Sequence, residues 1–204
     1  MRIEIVVFDG FDEIDALGPF EVLDSAARAG APFGVALVGA DGPAEIRAQH
    51  GLRMIVEEGL GRPDAVIVPG GGWLNHAPEG AWAQARRGQL PRRLAELAGT
   101  VRWTASVCSG AMLLAEAGLL RGRPATTNHN LLTGLGETGA IVTPHRVVDD
   151  GDIVTAAGLT AGLDLGLWLI EREVGPELAA TVADNMEYLP RNDVWRRTEP
   201  ASVV

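Results

Sequence analysis

Cys108 is the sole cysteine of the chain, and it stands at a corner. Before it runs Val101-Arg102-Trp103-Thr104-Ala105-Ser106-Val107, a strand-like segment; after Ser109-Gly110 comes a helical stretch from Ala111 to Gly118. A cysteine at such a corner turns its sulfur out of the backbone, and the first N–H groups of the helix gather beside it. Those donors and the helix dipole favour thiolate over thiol and can also hold a developing oxyanion. The same residue reads equally as a small buried hydrophobe, which is what most free cysteines are. A second feature is Pro69-Gly70-Gly71-Gly72-Trp73. It lacks the Gly-Lys-Ser/Thr ending of a phosphate loop and the Gly-x-Gly-x-x-Gly spacing of a dinucleotide site. It is either a simple tight turn or half of an oxyanion hole, with the amide after Cys108 as the other half.

A thiol nucleophile needs a proton partner. Asp15 follows the first strand, so it belongs near the carboxyl end of the sheet, and Ile14, Ala16 and Leu17 surround it. A carboxyl group among such neighbours can keep its proton and donate to sulfur, or exchange a proton with substrate. It can also be an ordinary helix-start carboxylate. Asp12 and Glu13 read as solvated. His129, in Thr126-Thr127-Asn128-His129-Asn130, is the histidine best placed for the site, and Asn128 is an alternative polar contact from the same loop. A lone loop histidine is more often structural than catalytic. His50, His76 and His145 have less support, and Asp164 reads as a structural hydrogen-bonding residue near a helix start.

The elements that must position these groups alternate along the chain. Ile3 to Phe8, Phe33 to Val38, Ala65 to Val68 and Val101 to Val107 read as strands. Short strands at 140–142, 146–148 and 152–155 surround the turn Asp149-Asp150-Gly151. Helical periodicity covers Asp12 to Ala29, where Gly18-Pro19 should bend or restart the helix, and Ala81 to Ala98, which Pro91 should divide by sitting in the first turn of the second piece. A last strong helix runs from Thr160 to Val174. Apolar strands alternating with helices predict a mostly parallel, doubly wound sheet in a single domain, 1–204, with ligands at the carboxyl ends of the strands.

Composition narrows the chemistry. The 17 basic residues are all arginine, so Schiff-base and lysine-base mechanisms are excluded. A net charge of −10 argues against a nucleic-acid partner. The four histidines lack paired ligand spacing, and no metal is expected. No apolar run is long enough to span a membrane, the N-terminus lacks signal-peptide order, and one cysteine forms no internal disulfide; a cytoplasmic protein is expected.

The glycine loop, Ser106-Val107-Cys108-Ser109-Gly110, Gly118-Leu119-Leu120-Arg121-Gly122-Arg123-Pro124-Ala125-Thr126-Thr127 and Ala157-Gly158-Leu159-Thr160-Ala161-Gly162-Leu163-Asp164 occur in this order. Together they resemble the ThiJ/PfpI superfamily, and within it the isonitrile hydratases. The resemblance implies a flavodoxin-like three-layer sandwich of class I glutamine amidotransferase type, a nucleophile elbow and a homodimer. It implies Cys108 as nucleophile, Asp15 as the carboxyl group that contacts it, and the amides of Gly71 and Ser109, with Gly72 beside them, as the oxyanion pocket. Leu159 is expected to pack over the cysteine, and Trp73 to shape the pocket with it. Glyoxalase-type relatives carry glutamate where this chain has Asp15. Many relatives read Ala-Thr-Thr-His-Trp, so Asn128 replaces their histidine unless a one-residue shift restores His129. The implied reaction is hydration of an isonitrile to an N-substituted formamide through a covalent cysteine thioimidate, with no cofactor. The rivals are glyoxalase-like carbonyl chemistry with a larger role for His129, and a noncatalytic redox sensor at Cys108.

Overall fold

Apolar runs bounded by turn residues become the strands of one seven-stranded sheet in the computed structural model, which describes residues 1–197. The chain passes through β1 (Arg2–Val7), α1 (Glu13–Arg28), β2 (Gly34–Gly39) and the hairpin β3 (Ala44–Arg47) and β4 (Arg53–Val56). It continues through β5 (Ala65–Val68), α2 (Ala81–Arg87), α3 (Gln89–Ala98), β6 (Trp103–Val107) and α4 (Gly110–Glu116). Then come β7 (Pro124–Ala125), a 3-10 turn (His129–Leu131), α5 (Leu132–Glu137), β8 (Ile141–Val142) and β9 (Val147–Asp149). The remaining elements are β10 (Ile153–Ala156), α6 (Ala161–Glu173), α7 (Pro176–Asn185) and β11 (Val194–Arg196).

The strand order is β11-β9-β10-β6-β5-β1-β2. β2, β1, β5, β6 and β10 run parallel, whereas β9 is antiparallel to β10 and carries β11 alongside it. Helices α1, α6 and α7 pack on one another, as do α2, α3 and α4, so two helical layers enclose the sheet. Both faces of the central strands are therefore covered, which is why β5 and β6 are buried at every residue. The chain leaves β1 towards β2 on one side and returns to β5 on the other. The loops after β1 and β5 diverge there and open a crevice at the carboxyl end of the sheet. The corner after β6 lies next to it.

One break expected from the sequence does not occur. α1 runs unbroken through Pro19. Pro19 has no N–H to give the Asp15 carbonyl, and its ring packs against α6 at Gly162, where a side chain would collide with it. The 81–98 stretch divides as expected, with Pro91 in the first turn of the second piece, α3; the break itself is made by Gly88, which takes a left-handed conformation at φ +73°. The β3–β4 hairpin, α7 and β11 have no counterpart in the sequence reading.

Candidate active site

Cys108 occupies the corner between β6 and α4 with φ +56°, a backbone conformation that costs a non-glycine residue energy and persists only when its surroundings enforce it. The enforcement is visible. The Cys108 N–H donates to the carbonyls of Ala156 at 3.1 Å and Ala157 at 2.9 Å at the end of β10. Its own carbonyl accepts the Thr127 hydroxyl at 2.8 Å. Gly110 completes the corner, because any side chain there would collide with the Val68 carbonyl of β5. The result is a cysteine only 8% exposed that still lines an open pocket.

Asp15, in the first turn of α1, is fully buried. Its Oδ2 accepts the Gly70 N–H at 3.0 Å, and its Oδ1 is buried with no well-formed hydrogen bond. Among the described residues no cation touches it. Burial first, and then the negative charge of Asp12, push its pKa well above the ordinary aspartate range, while the Gly70 amide, the Cys108 thiol and the Leu159 amide pull the other way. An Asp15 that keeps its proton can donate it to the Cys108 sulfur beside it.

The cysteine itself departs from expectation. Donors from the Ser109 and Leu159 amides and from Asn128 do converge on sulfur, but burial and the neighbouring Asp15 outweigh them and push the thiol up to about 12. The resting group is a thiol, not the thiolate that the helix dipole alone would favour. Cys108 and Asp15 form one coupled unit in which a negative charge on either raises the other.

The glycine loop is threaded through the same space. A Cβ at Gly70 would come within 3.0 Å of Asp15 Oδ2 and still closer to Ser109, so only glycine brings β5 this near to the elbow. The Gly71 amide, expected to face an oxyanion, donates to Ser109 Oγ at 2.9 Å, and the Gly72 amide donates to Gln49 Oε1 at 2.7 Å. The Ser109 amide is the one that points at sulfur.

Of the two candidates from the following loop, Asn128 reaches the Cys108 sulfur. Its Oδ1 accepts the Asn130 N–H at 3.0 Å, which orients the amide and sets Nδ2 3.7 Å from the sulfur. His129 opens the 3-10 turn, is exposed, and is not part of the pocket lining. Leu159, at φ +48° and 42% exposed, lines the mouth with Trp73, Leu74 and Leu131. Trp73 is braced edge-on against Trp82 at 5.3 Å, and Trp82 stacks on His76 at 4.1 Å. Asp12, Gln49, Asn75 and Asn128 add polar groups to the lining of a space of about 280 Å³.

Asp12 is the residue the sequence reading misplaced. It is buried, caps α1 by accepting the Ile14 N–H at 3.3 Å, and donates its own N–H to the Gly70 carbonyl at 2.9 Å. Asp164 binds Arg146 and the Tyr188 hydroxyl and accepts the Arg191 N–H, a structural junction as expected.

Residues 1–172 match the model of the DJ-1/PfpI family. The chain belongs to that family. It is 33% identical over 196 residues, 93% of its own length and 79% of the relative's, to the isonitrile hydratase of Pseudomonas putida. Its fold matches the crystal structure of a ThiJ/PfpI family protein from Pseudomonas syringae with a TM-score of 0.82 at 27% identity, covering 99% of this chain and 77% of that one. Drosophila melanogaster DJ-1beta matches with a TM-score of 0.77 at 19% identity over 92% and 98% of the two chains, a likeness of fold.

Other hollows in this DJ-1/PfpI fold are larger, one of about 380 Å³ between α6 and α7 and one of about 460 Å³ beside Arg172 and Arg196, but neither is lined by the cysteine. One potential ligand set, invisible in chain spacing, adjoins the Cys108 pocket: Asp12, Glu13 and His50 each offer an atom within 4.8 Å of the others. Glu13 Oε1 already accepts the N–H groups of His50 at 2.9 Å and Leu52 at 3.3 Å, which ties the hairpin turn to α1. Among the described residues no helix is long and apolar enough to cross a membrane.

Proposed function

We propose that this protein is an isonitrile hydratase that converts an isonitrile and water into an N-substituted formamide. The observation that carries the reading is the buried pair of Asp15 and Cys108, an acid beside a thiol, with no histidine in the pocket lining. Acyl transfer by cysteine calls for an imidazole base. An isonitrile asks for the opposite, because its terminal carbon holds a lone pair that must take a proton as sulfur adds to it. In the first half-reaction Asp15 protonates that carbon and the thiol proton replaces the one Asp15 gave, while the carbon–sulfur bond forms. The product is a thioimidate on Cys108, with the proton count unchanged. Water then adds to the carbon, the carbon–sulfur bond breaks, and the formamide leaves.

The pocket suits the substrate class. An apolar substituent rests on Trp73, Leu74, Leu131 and Leu159, and about 280 Å³ limits it to a small group. The likeness to the Pseudomonas putida enzyme supports the same chemistry. A peroxide-sensing role fits less well, since oxidation follows thiolate character and exposure, and Cys108 has neither.

The test is formamide production from a panel of small alkyl isonitriles, followed by NMR, in wild type, Cys108→Ala and Asp15→Asn, with methylglyoxal run in parallel. Formamide formed by wild type and lost in both variants is the expected result. Turnover of methylglyoxal with no isonitrile consumed would overturn the reading in favour of carbonyl chemistry.

A further inference from the structure

We propose that Asp12, backed by His50, is the base that activates water in the second half-reaction, a role distinct from that of Asp15. The assignment rests on the hydratase reading and deepens it. The two half-reactions need opposite proton transfers: an acid while the thioimidate forms, and a base while water attacks it. The pocket holds two carboxyl groups in different settings. Asp15 is sealed under the glycine loop. Asp12 is 6% exposed, and that small exposure opens into the pocket that Cys108 also lines. Its Oδ1 is fixed by the N-cap bond to Ile14, whereas Oδ2 takes no hydrogen bond among the described residues. The Nε2 of His50 stands 3.6 Å from that oxygen, and the imidazole side chain is 70% exposed. A carboxyl group that lines the pocket thus stands beside a proton carrier facing solvent.

The protons balance as follows. The water oxygen bonds the thioimidate carbon as one water proton passes to Asp12, and the imine nitrogen takes the proton of Asp15. The carbon–sulfur bond then breaks with its electron pair going to sulfur, and the hydroxyl proton returns to Asp15 as the carbonyl forms. Asp12 releases its proton through His50 to solvent, and the thiolate recovers one from solvent.

The experiment follows n-butyl isonitrile by rapid quench and intact-protein mass spectrometry in wild type, Asp12→Asn, Asp15→Asn and His50→Gln. Asparagine caps a helix as well as aspartate does, so Asp12→Asn keeps the fold. It is expected to form the Cys108 adduct at a near wild-type rate and to hydrolyse it about 10²–10⁴-fold more slowly, the usual contribution of a general base. Asp15→Asn is expected to form little adduct at all. His50→Gln is expected to slow adduct hydrolysis less than Asp12→Asn, with the rate restored by added imidazole. Unchanged turnover in Asp12→Asn, beside an active wild type, overturns the role of Asp12 and leaves the hydratase reading standing. So does turnover abolished by a chelator, which would put a metal ion on Asp12, Glu13 and His50. A wild type that yields neither adduct nor formamide overturns the hydratase reading and this assignment together.

Discussion

Asp15 and Asp150 are both buried carboxyl groups at opposite ends of the same sheet, and their surroundings differ in kind. Asp150, in the turn between β9 and β10, holds Arg123 at 2.6 Å and Arg197 at 2.5 Å, while Arg123 also binds Asp152. Next to it Asp149 accepts the Trp168 indole N–H at 2.8 Å and pairs with Arg172 at 3.1 Å. The chain builds this end entirely with arginine, whose planar fork satisfies several carboxylate oxygens at once. At the Cys108 end no arginine reaches Asp12 or Asp15 among the described residues. A buried carboxylate without a partner is costly, and Asp15 avoids that cost by keeping its proton, whereas Asp12 has the His50 imidazole beside it. Paired aspartates hold the edge of the sheet together; the unpaired one is left able to act as an acid.

The largest test of this contrast exchanges stability for activity. Asp15→Asn removes the acid and should lower kcat/KM for the isonitrile about 10²–10⁴-fold. Its folding free energy should stay the same or rise, since an unpaired buried acid is lost. Arg123→Ala should do the reverse, lowering stability by about 2 kcal/mol with kcat unchanged. That is less than the full cost of breaking a buried pair, because Arg197 remains on Asp150 and Arg123 is partly solvated. Urea unfolding and steady-state kinetics on both variants separate the two effects. Equal loss of activity in Arg123→Ala would show that the two ends are not independent.

The contrast was half legible in the sequence, for a physical reason. Cys108 and Asp15 stand out locally: one follows a strand-like run at a Ser-Gly corner, the other sits among apolar neighbours. The alternation of apolar runs likewise implies the parallel sheet. Asp12 does not stand out, because Phe11-Asp12-Glu13 reads as a solvated helix start. Its burial comes from the glycine loop, which folds over α1 from far along the chain; Gly70 and Asp15 are 55 positions apart where they meet. His50 is brought to Asp12 by the β3–β4 turn, a hairpin of two four-residue strands, of which β3 alternates over too short a run to stand out and β4 (Arg53-Met54-Ile55-Val56) does not alternate. Nor can spacing show that Ser109 Oγ and Gln49 would occupy the amides of Gly71 and Gly72, since those pairings belong to the folded loop. The balance of burial and the neighbouring Asp15 against three donors determines that Cys108 rests as a thiol.

A smaller effect, on stability against pH, has opposite sign at the two ends. Asp15 has a folded pKa above its unfolded value of about 3.9, so between the two values the folded state binds more protons. Its contribution to stability is therefore present at low pH and declines as pH rises from about 4 to the raised native value. The stability of Asp15→Asn relative to wild type should grow over that range and then level off. Asp152 is shifted downward, chiefly by its hydrogen bond to Arg123. Its contribution is present above about pH 4 and is lost as pH falls through the lowered native value. The deficit of Arg123→Ala should shrink on acidification, though only slightly because the Asp152 side chain is 58% exposed. Thermal melts at a series of pH values measure both trends.

The smallest difference lies within one loop. Asn128 and His129 are adjacent, but only Asn128 Nδ2 approaches sulfur, at 3.7 Å, and a sulfur contact of that length is weak. It still bears on the reaction, because it is one of three donors that stabilise negative charge on Cys108 when the carbon–sulfur bond breaks. Asn128→Ala should therefore slow turnover several-fold, about 1 kcal/mol of lost stabilisation, the scale of one modest hydrogen bond. The rate of thiol alkylation by iodoacetamide should fall with it at a given pH, since less thiolate is present. His129→Ala should change neither rate, because its side chain is exposed and outside the pocket lining. If His129→Ala proves the more damaging of the two, the loop turns by one residue during catalysis and brings an imidazole to the sulfur. The site would then hold a base beside the thiol, and the acid–thiol pairing that distinguishes this end of the sheet from the arginine-paired end would no longer describe the working enzyme.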